Sequence, residues 1–196
     1  MTSRTRSKRS ASVILDRLAG EEANAVLRQL LEKHSELRTE AERIAMDLIA
    51  SQSVEDIAAE VSDAMMGVDL DALNGRAGKH AWGYVEPGDA AMELLEEAIE
   101  DRVEDMKRHL EVDVVASAQT VCAGIVVGLY AIRKTNADGV LGWAPDFPAE
   151  HAGFILQEFL GLSRYKLTRA DREKFIASLV GYAPEWEDMF RRALCA

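Results

Sequence analysis

Residues 114–132 read VVASAQTVCAGIVVGLYAI and contain no charged side chain. A stretch of this length and hydropathy is able to form a transmembrane helix, although Ser117, Gln119 and the two glycines disfavour its insertion into lipid. We interpret it instead as the central helix of a water-soluble bundle, buried on most sides. Its small residues, among them Gly124 and Gly128, would let a neighbouring helix approach closely.

The segments on both sides of this stretch have the spacing of amphipathic helices. The longest begins near Asp89 and ends near Glu111, and its apolar residues recur at intervals of three and four. They are Met92, Leu95, Ile99, Val103, Met106 and Leu110. No segment has the alternation of a β-strand, and the β-branched cluster at 112–115 continues the helical period. We therefore predict an all-α fold, a compact bundle of about eight or nine helices around a buried central helix near 114–132.

Composition and charge indicate an ordinary globular protein with an acidic body. Of its 196 residues, 48% are hydrophobic and 29% are charged. The net charge is −11. Arg4, Arg6, Lys8 and Arg9 contribute +4 to this total, so the rest of the chain carries a charge of −15. An acidic body repels nucleic acid and anionic membranes. The two cysteines lie far apart in sequence, which favours reduced thiols and a cytoplasmic location.

The distribution of these features predicts one structured domain after a tail. We expect residues 1–11 to be a disordered basic tail and residues 12–196 to be a single all-α domain. Within it, helical hairpins occupy 12–66, a glycine-rich structured connection occupies 67–88 and the main bundle occupies 89–196. The tail is either solvated without a partner or makes a weak electrostatic contact with nucleic acid or another protein.

Short helices joined by tight turns in residues 12–66 predict antiparallel packing. Their apolar residues follow the pattern Ile14-Leu15-x-x-Leu18, Val26-Leu27-x-x-Leu30-Leu31 and Leu37. In this pattern the segment resembles helical repeats of uncharacterised bacterial proteins, including those that accompany SWIM-type zinc fingers. The resemblance covers less than a third of the chain. The cysteine and histidine ligands of such a finger are absent from the sequence, so the resemblance implies no activity.

Two loops, 75–88 and 143–148, carry charged and aromatic side chains outside the predicted helices. These candidate ligand-binding residues are Arg76, Lys79, His80, Trp82, Tyr84, Trp143, Asp146 and Phe147. Such side chains on loops commonly form a binding surface. Alternatively, the aromatic rings anchor the loops to the helices. The sequence does not show whether the two loops meet.

Two groups on the long helix are weaker candidates for a catalytic or metal-binding role. One is an acidic row, formed by Glu93, Glu97, Glu100 and Glu104. Paired carboxylates serve as acid and base only where a cleft desolvates them, so we interpret this row as a solvated face. The other is His109, which lies one turn after Asp105 and which we interpret as a solvated side chain bonded to that carboxylate. We predict no metal site and no cofactor.

Three functions follow from these observations. The leading hypothesis is a cytoplasmic protein-interaction or scaffold module that binds another protein or a second copy, because no catalytic motif is present. The second is an enzyme or small-ligand binder that uses loops 75–88 and 143–148. The third is a regulatory protein that contacts nucleic acid weakly through Arg4, Arg6, Lys8 and Arg9. We expect no membrane partner.

Overall fold

A computed structural model describes residues 12–81, 83–135 and 139–195 of the chain. The structure is 79% helical. Its described residues form nine α-helices of at least seven residues, one four-residue helix and one two-stranded sheet. The predicted all-α class and the expected number of helices are therefore confirmed.

The described residues form the following elements in chain order. The α-helices are α1 (Ser12–Leu15), α2 (Gly20–Lys33), α3 (Arg38–Ala50), α4 (Val54–Met66), α5 (Leu70–Arg76), α6 (Pro87–Glu111), α7 (Val115–Ile132), α8 (Phe147–Leu162), α9 (Arg169–Tyr182) and α10 (Glu187–Cys195). Three 3-10 helices span Ser35–Leu37, Val140–Trp143 and Pro184–Trp186. The strands are β1 (Gly78–His80) and β2 (Gly83–Val85).

Internal contacts divide the chain into two compact units, Met1–Ile49 and Ala50–Ala196. The boundary falls inside the segment 12–66, and α4 therefore belongs to the second unit. In the first unit, no residue of α2 or α3 is buried. The antiparallel packing expected for these helices stays a prediction.

The central helix of the second unit is α7, which packs against α4, α6 and α8. All residues from 121 to 126 are buried. Of the described helices, α7 is the one long and apolar enough to cross a membrane, and 61% of its residues are buried within the protein. The prediction of a buried central helix is confirmed.

Two glycines of α7 set its distance from α4. A Cβ atom added to Gly124 would lie 2.5 Å from Cβ of Ile57. One added to Gly128 would lie 2.8 Å from the carbonyl oxygen of Ala58. Because real Cβ atoms do not tolerate such contacts, the two helices pack this closely only where α7 has no side chain.

The junction between α6 and α7 is sharp. Asp113 has a positive φ of 64°. Its N–H donates to the carbonyl of Leu110 at 3.1 Å, and the N–H of Val114 donates to the carbonyl of His109 at 2.8 Å. This pair of bonds is a Schellman motif, which ends a helix. The prediction that the helical period continues through 112–115 is therefore wrong.

A small hairpin interrupts the helices between α5 and α6. Strands β1 and β2 pair antiparallel, with Lys79 opposite Tyr84. The prediction that no segment forms a strand is wrong here, because three residues are too few to show an alternating pattern. The hairpin includes Gly78 and Gly83 at φ values of 99° and 149°, which glycine adopts more readily than other residues.

Candidate functional site

Two of the predicted loop residues, Arg76 and His80, come together at a surface depression of about 470 Å³. Nε2–H of His80 donates to the carbonyl of Arg76 at 2.7 Å. The residues that line the depression are Ala72, Gly75, Arg76, His80, Val85 and Glu93. Lys79 and Tyr84 are exposed on the neighbouring hairpin. The first loop thus forms a small polar site.

The second predicted loop contributes no residue to the lining of that depression. Trp143 and Asp146 are exposed, whereas Phe147 is fully buried and anchors the start of α8. The two loops approach each other through backbone, since a Cβ added to Gly88 would lie 3.4 Å from the carbonyl oxygen of Trp143. Trp82 lies outside the described residues.

A larger groove, of about 510 Å³, runs between α6 and α8, and we call it the α6–α8 groove. Its apolar floor consists of Ile99, Val103, Phe154 and Ile155. Six carboxylates surround this floor: Glu93, Glu96, Glu97, Glu100, Glu104 and Glu158. The acidic row that we interpreted as a solvated face is thus also the wall of an apolar groove.

At one end of the groove, Arg76 contacts two of these carboxylates. Its guanidinium group donates two hydrogen bonds to Glu97, at 2.9 and 3.0 Å, and lies 3.6 Å from Glu93. The bond from Arg76 holds the pKa of Glu97 below its usual value. Arg76 is therefore a predicted loop residue that also contacts the groove wall.

At the other end, Lys107 joins the two helices. Its Nζ lies 3.2 Å from Glu104 on α6 and 3.2 Å from Glu158 on α8. Burial lowers the pKa of Lys107, but the two carboxylates outweigh burial and raise it. Lys107 consequently remains charged and closes this end of the groove.

Two other carboxylates of the wall, Glu96 and Glu100, have no lysine or arginine partner within the described part of the chain. Glu96 accepts a hydrogen bond from Nε2–H of His151 at 2.8 Å. Glu100 has no hydrogen bond or ion pair within the described part of the chain. The ring of His151 stacks on Phe147 at 3.7 Å between centroids, and the ring of Phe154 meets it edge-on at 5.8 Å. The aromatic stack therefore lies beside Glu96, one of the two carboxylates without a lysine or arginine partner in the described residues.

Sequence reasoning identified the α6 wall of this groove but missed the α8 wall. His151, Phe154, Ile155 and Glu158 are spaced by three, one and three positions, which places them on one helical face. This spacing can be recognised from the sequence. The sequence does not show that this face of α8 lies opposite the acidic row of α6.

His109 is placed differently from the sequence interpretation. It is buried, and its Nδ1 shares a hydrogen bond of 3.1 Å with Oγ of Ser117 on α7. Asp105 is instead bonded by Arg102 and Arg108. The prediction of a solvated His109 bonded to Asp105 is therefore wrong. Burial, and to a lesser extent the positive charge of Arg108, lowers the pKa of His109.

This lowered pKa predicts a stability that depends on pH. As the pH falls below about 6.5, the unfolded chain gains a proton on His109 that the folded chain does not bind, so the free energy of unfolding falls. The fall ends once the pH is below the pKa of the folded state. Urea denaturation at a series of pH values measures it, and a His109→Gln variant is expected to have a shallower slope. Equal slopes for the two proteins would contradict the assignment.

The fold and the groove define an all-α protein with an acidic groove whose floor is apolar. No group of three or more His, Cys, Asp and Glu side chains suited to a metal ion occurs among the described residues. The chain matches no protein-family model, no curated protein and no solved structure. The resemblance of residues 12–66 to helical repeats stays a prediction.

Proposed function

We propose that this chain is a cytoplasmic protein-interaction module whose α6–α8 groove binds a basic amphipathic helix of a partner protein. One observation carries the proposal: an apolar floor, with Phe154 61% exposed, lies among six carboxylates. An amphipathic helix binds such a groove by placing its apolar face on the floor. The carboxylates favour partners that carry lysine or arginine beside that apolar face.

The charge distribution along the groove supports a position for those basic residues. Arg76 and Lys107 already neutralise part of the wall at the two ends. Glu96 and Glu100 lie one helical turn apart and have no lysine or arginine partner in the described structure. The partner is therefore expected to place its basic side chains opposite Glu96 and Glu100.

The test uses a synthetic helical peptide with leucines on one face and lysines on the flanks, labelled for fluorescence anisotropy. We expect Glu96→Gln/Glu100→Gln to weaken its binding at least about tenfold at low salt, and less at high salt, because exposed charges are screened. Phe154→Ala is expected to weaken binding at both salt concentrations, because it removes apolar contact.

The matched control is Asp63→Asn/Glu111→Gln, which changes the net charge equally at two exposed positions outside the groove. It is expected to bind as the wild type does. A peptide of the same composition with scrambled order, and hence no apolar face, is expected to bind weakly. Equal losses in the control and in the groove variant would contradict the proposal, as would tight binding of the scrambled peptide.

The two alternative functions stay predictions. The small-ligand hypothesis includes Trp82, and the nucleic-acid hypothesis rests on Arg4, Arg6, Lys8 and Arg9, all of which lie outside the described residues.

A further inference from the structure

The two helices that form the α6–α8 groove run in the same direction. Two contacts establish this: Glu96 on α6 meets His151 on α8, and Lys107 meets Glu158 further along both helices. Between them in sequence, α7 packs against both helices and returns the chain. The N-terminal ends of α6 and α8 therefore lie on the side of Glu96, and their C-terminal ends lie on the side of Lys107.

Because the two helices are parallel, their dipoles act together at the ends of the groove. The ion pair of Lys107 and Glu158 lies four residues before the last residue of each helix, Glu111 in α6 and Leu162 in α8. Both C-terminal turns, which carry partial negative charge, are therefore at this end. Lys107 does not cancel this charge, because it is paired with Glu104 as well as with Glu158. This end consequently favours the N-terminal end of a bound helix, which carries partial positive charge.

The opposite end of the groove has the reverse preference. His151 lies four residues after Phe147, the first residue of α8, so the N-terminal turn of α8 is near Glu96. The partial positive charge of that turn favours the C-terminal end of a bound helix. Glu96 and Glu100, which have no lysine or arginine partner in the described residues, lie on this side and favour basic side chains. Basic side chains are also stabilising near the C-terminal end of a helix, so the two preferences agree.

We propose that the partner helix binds in the α6–α8 groove antiparallel to both α6 and α8, with its N-terminal end at Lys107 and its basic residues toward its C-terminal end. This inference rests on the proposed function and defines the order of residues in the partner. Glu100 and Glu96 precede Lys107 by seven and eleven residues, about 10.5 and 16.5 Å along α6. The basic residues of an antiparallel helix are therefore expected about seven and eleven positions after the residue opposite Lys107.

Disulfide cross-linking of a peptide to the full chain measures the direction of binding. Asp89→Cys and Glu111→Cys each place one thiol near an end of α6, on the face that lines the groove. The two variants are matched, because each removes one acidic side chain from an exposed position of the same helix. Both are made in a Cys195→Ser background, which removes the exposed thiol, and Cys122 is buried.

The probe is the amphipathic peptide with its lysines at the two positions given above and one added cysteine at its N-terminus or at its C-terminus. On mild oxidation, we expect the N-terminal cysteine to couple at least about fivefold more to Glu111→Cys than to Asp89→Cys, and the C-terminal cysteine to have the opposite preference. Equal or reversed yields, with the peptide bound as judged by anisotropy, would overturn the direction and leave the proposed function intact. Failure of the peptide to bind would contradict both.

A peptide of reversed sequence is an independent check, because it has the same composition and the same apolar face. Both peptides are acetylated and amidated, which removes their terminal charges. Bound antiparallel, the reversed peptide places its lysines away from Glu96 and Glu100; bound parallel, it opposes both helix dipoles. We therefore expect it to bind at least about threefold more weakly at low salt, with a smaller difference at high salt. Equal affinities of the two peptides at low salt would contradict the proposed direction.

Discussion

Replacing Gly124 and Gly128 together with alanine is expected to lower the free energy of unfolding by about 3 kcal/mol or more. Each added Cβ would lie within 3 Å of α4, against Ile57 in one case and against Ala58 and Val61 in the other. Neither contact is with the flexible end of a long side chain, so α4 has to move away from α7. Part of the contact between these two helices is then lost. Urea denaturation followed by circular dichroism measures the effect.

The control for this variant is Gly181→Ala in α9. A Cβ there would have no atom within 4 Å, so the change removes backbone freedom without overpacking. It is expected to leave stability unchanged or to raise it by up to about 1 kcal/mol, as alanine is the better helix former. If the double variant is as stable as Gly181→Ala, the claim that close packing of α4 on α7 requires glycine at positions 124 and 128 is contradicted.

Replacing Phe159 with alanine is expected to lower the free energy of unfolding by about 3–5 kcal/mol. The side chain is fully buried, and its ring lies 5.1 Å from that of Phe175 on α9. Its removal leaves a cavity between α8 and α9 that the surrounding helices fill only in part. Thermal and urea denaturation are the measurements.

Phe154→Ala is the matched comparison, since it makes the same change on the same helix at an exposed side chain. We expect it to cost less than about 1 kcal/mol in stability while it weakens peptide binding. Phe159→Ala, where it remains folded, is expected to keep the groove intact. Similar losses of stability in the two variants would contradict the assignment of Phe159 to the core and Phe154 to the groove.

The helical periods and the central helix could be predicted from the sequence because both depend on local pattern. The long stripe from Met92 to Leu110 forms α6, and the charge-free stretch forms α7. The junction at Asp113 could not be predicted, because a left-handed backbone conformation at a residue other than glycine has no clear sequence signature. The hairpin at 78–85 was missed because each of its strands has only three residues.

The candidate site could be predicted only in part, for a different reason. Glu93, Glu97, Glu100 and Glu104 were recognised as a row, but their environment depends on α8, which follows more than forty residues later. The ion pair between Lys107 and Glu158 is a tertiary contact, which local sequence patterns do not predict. Among the loop aromatics, Phe147 anchors its loop, whereas Tyr84 and Trp143 are exposed. Sequence alone could not distinguish these two roles.

On the proposed function, the cations at the two ends of the α6–α8 groove limit the length of partner helix that can pair with its carboxylates. Counted along α6 from Glu93, which Arg76 contacts, to Lys107, the interval is about 14 residues, or about 21 Å, and it includes Glu96 and Glu100. A partner helix of about four turns is expected to fill this interval. Sequence preference in a partner is then confined to a window of about 14 residues. A peptide library that varies only that window is sufficient to define the motif.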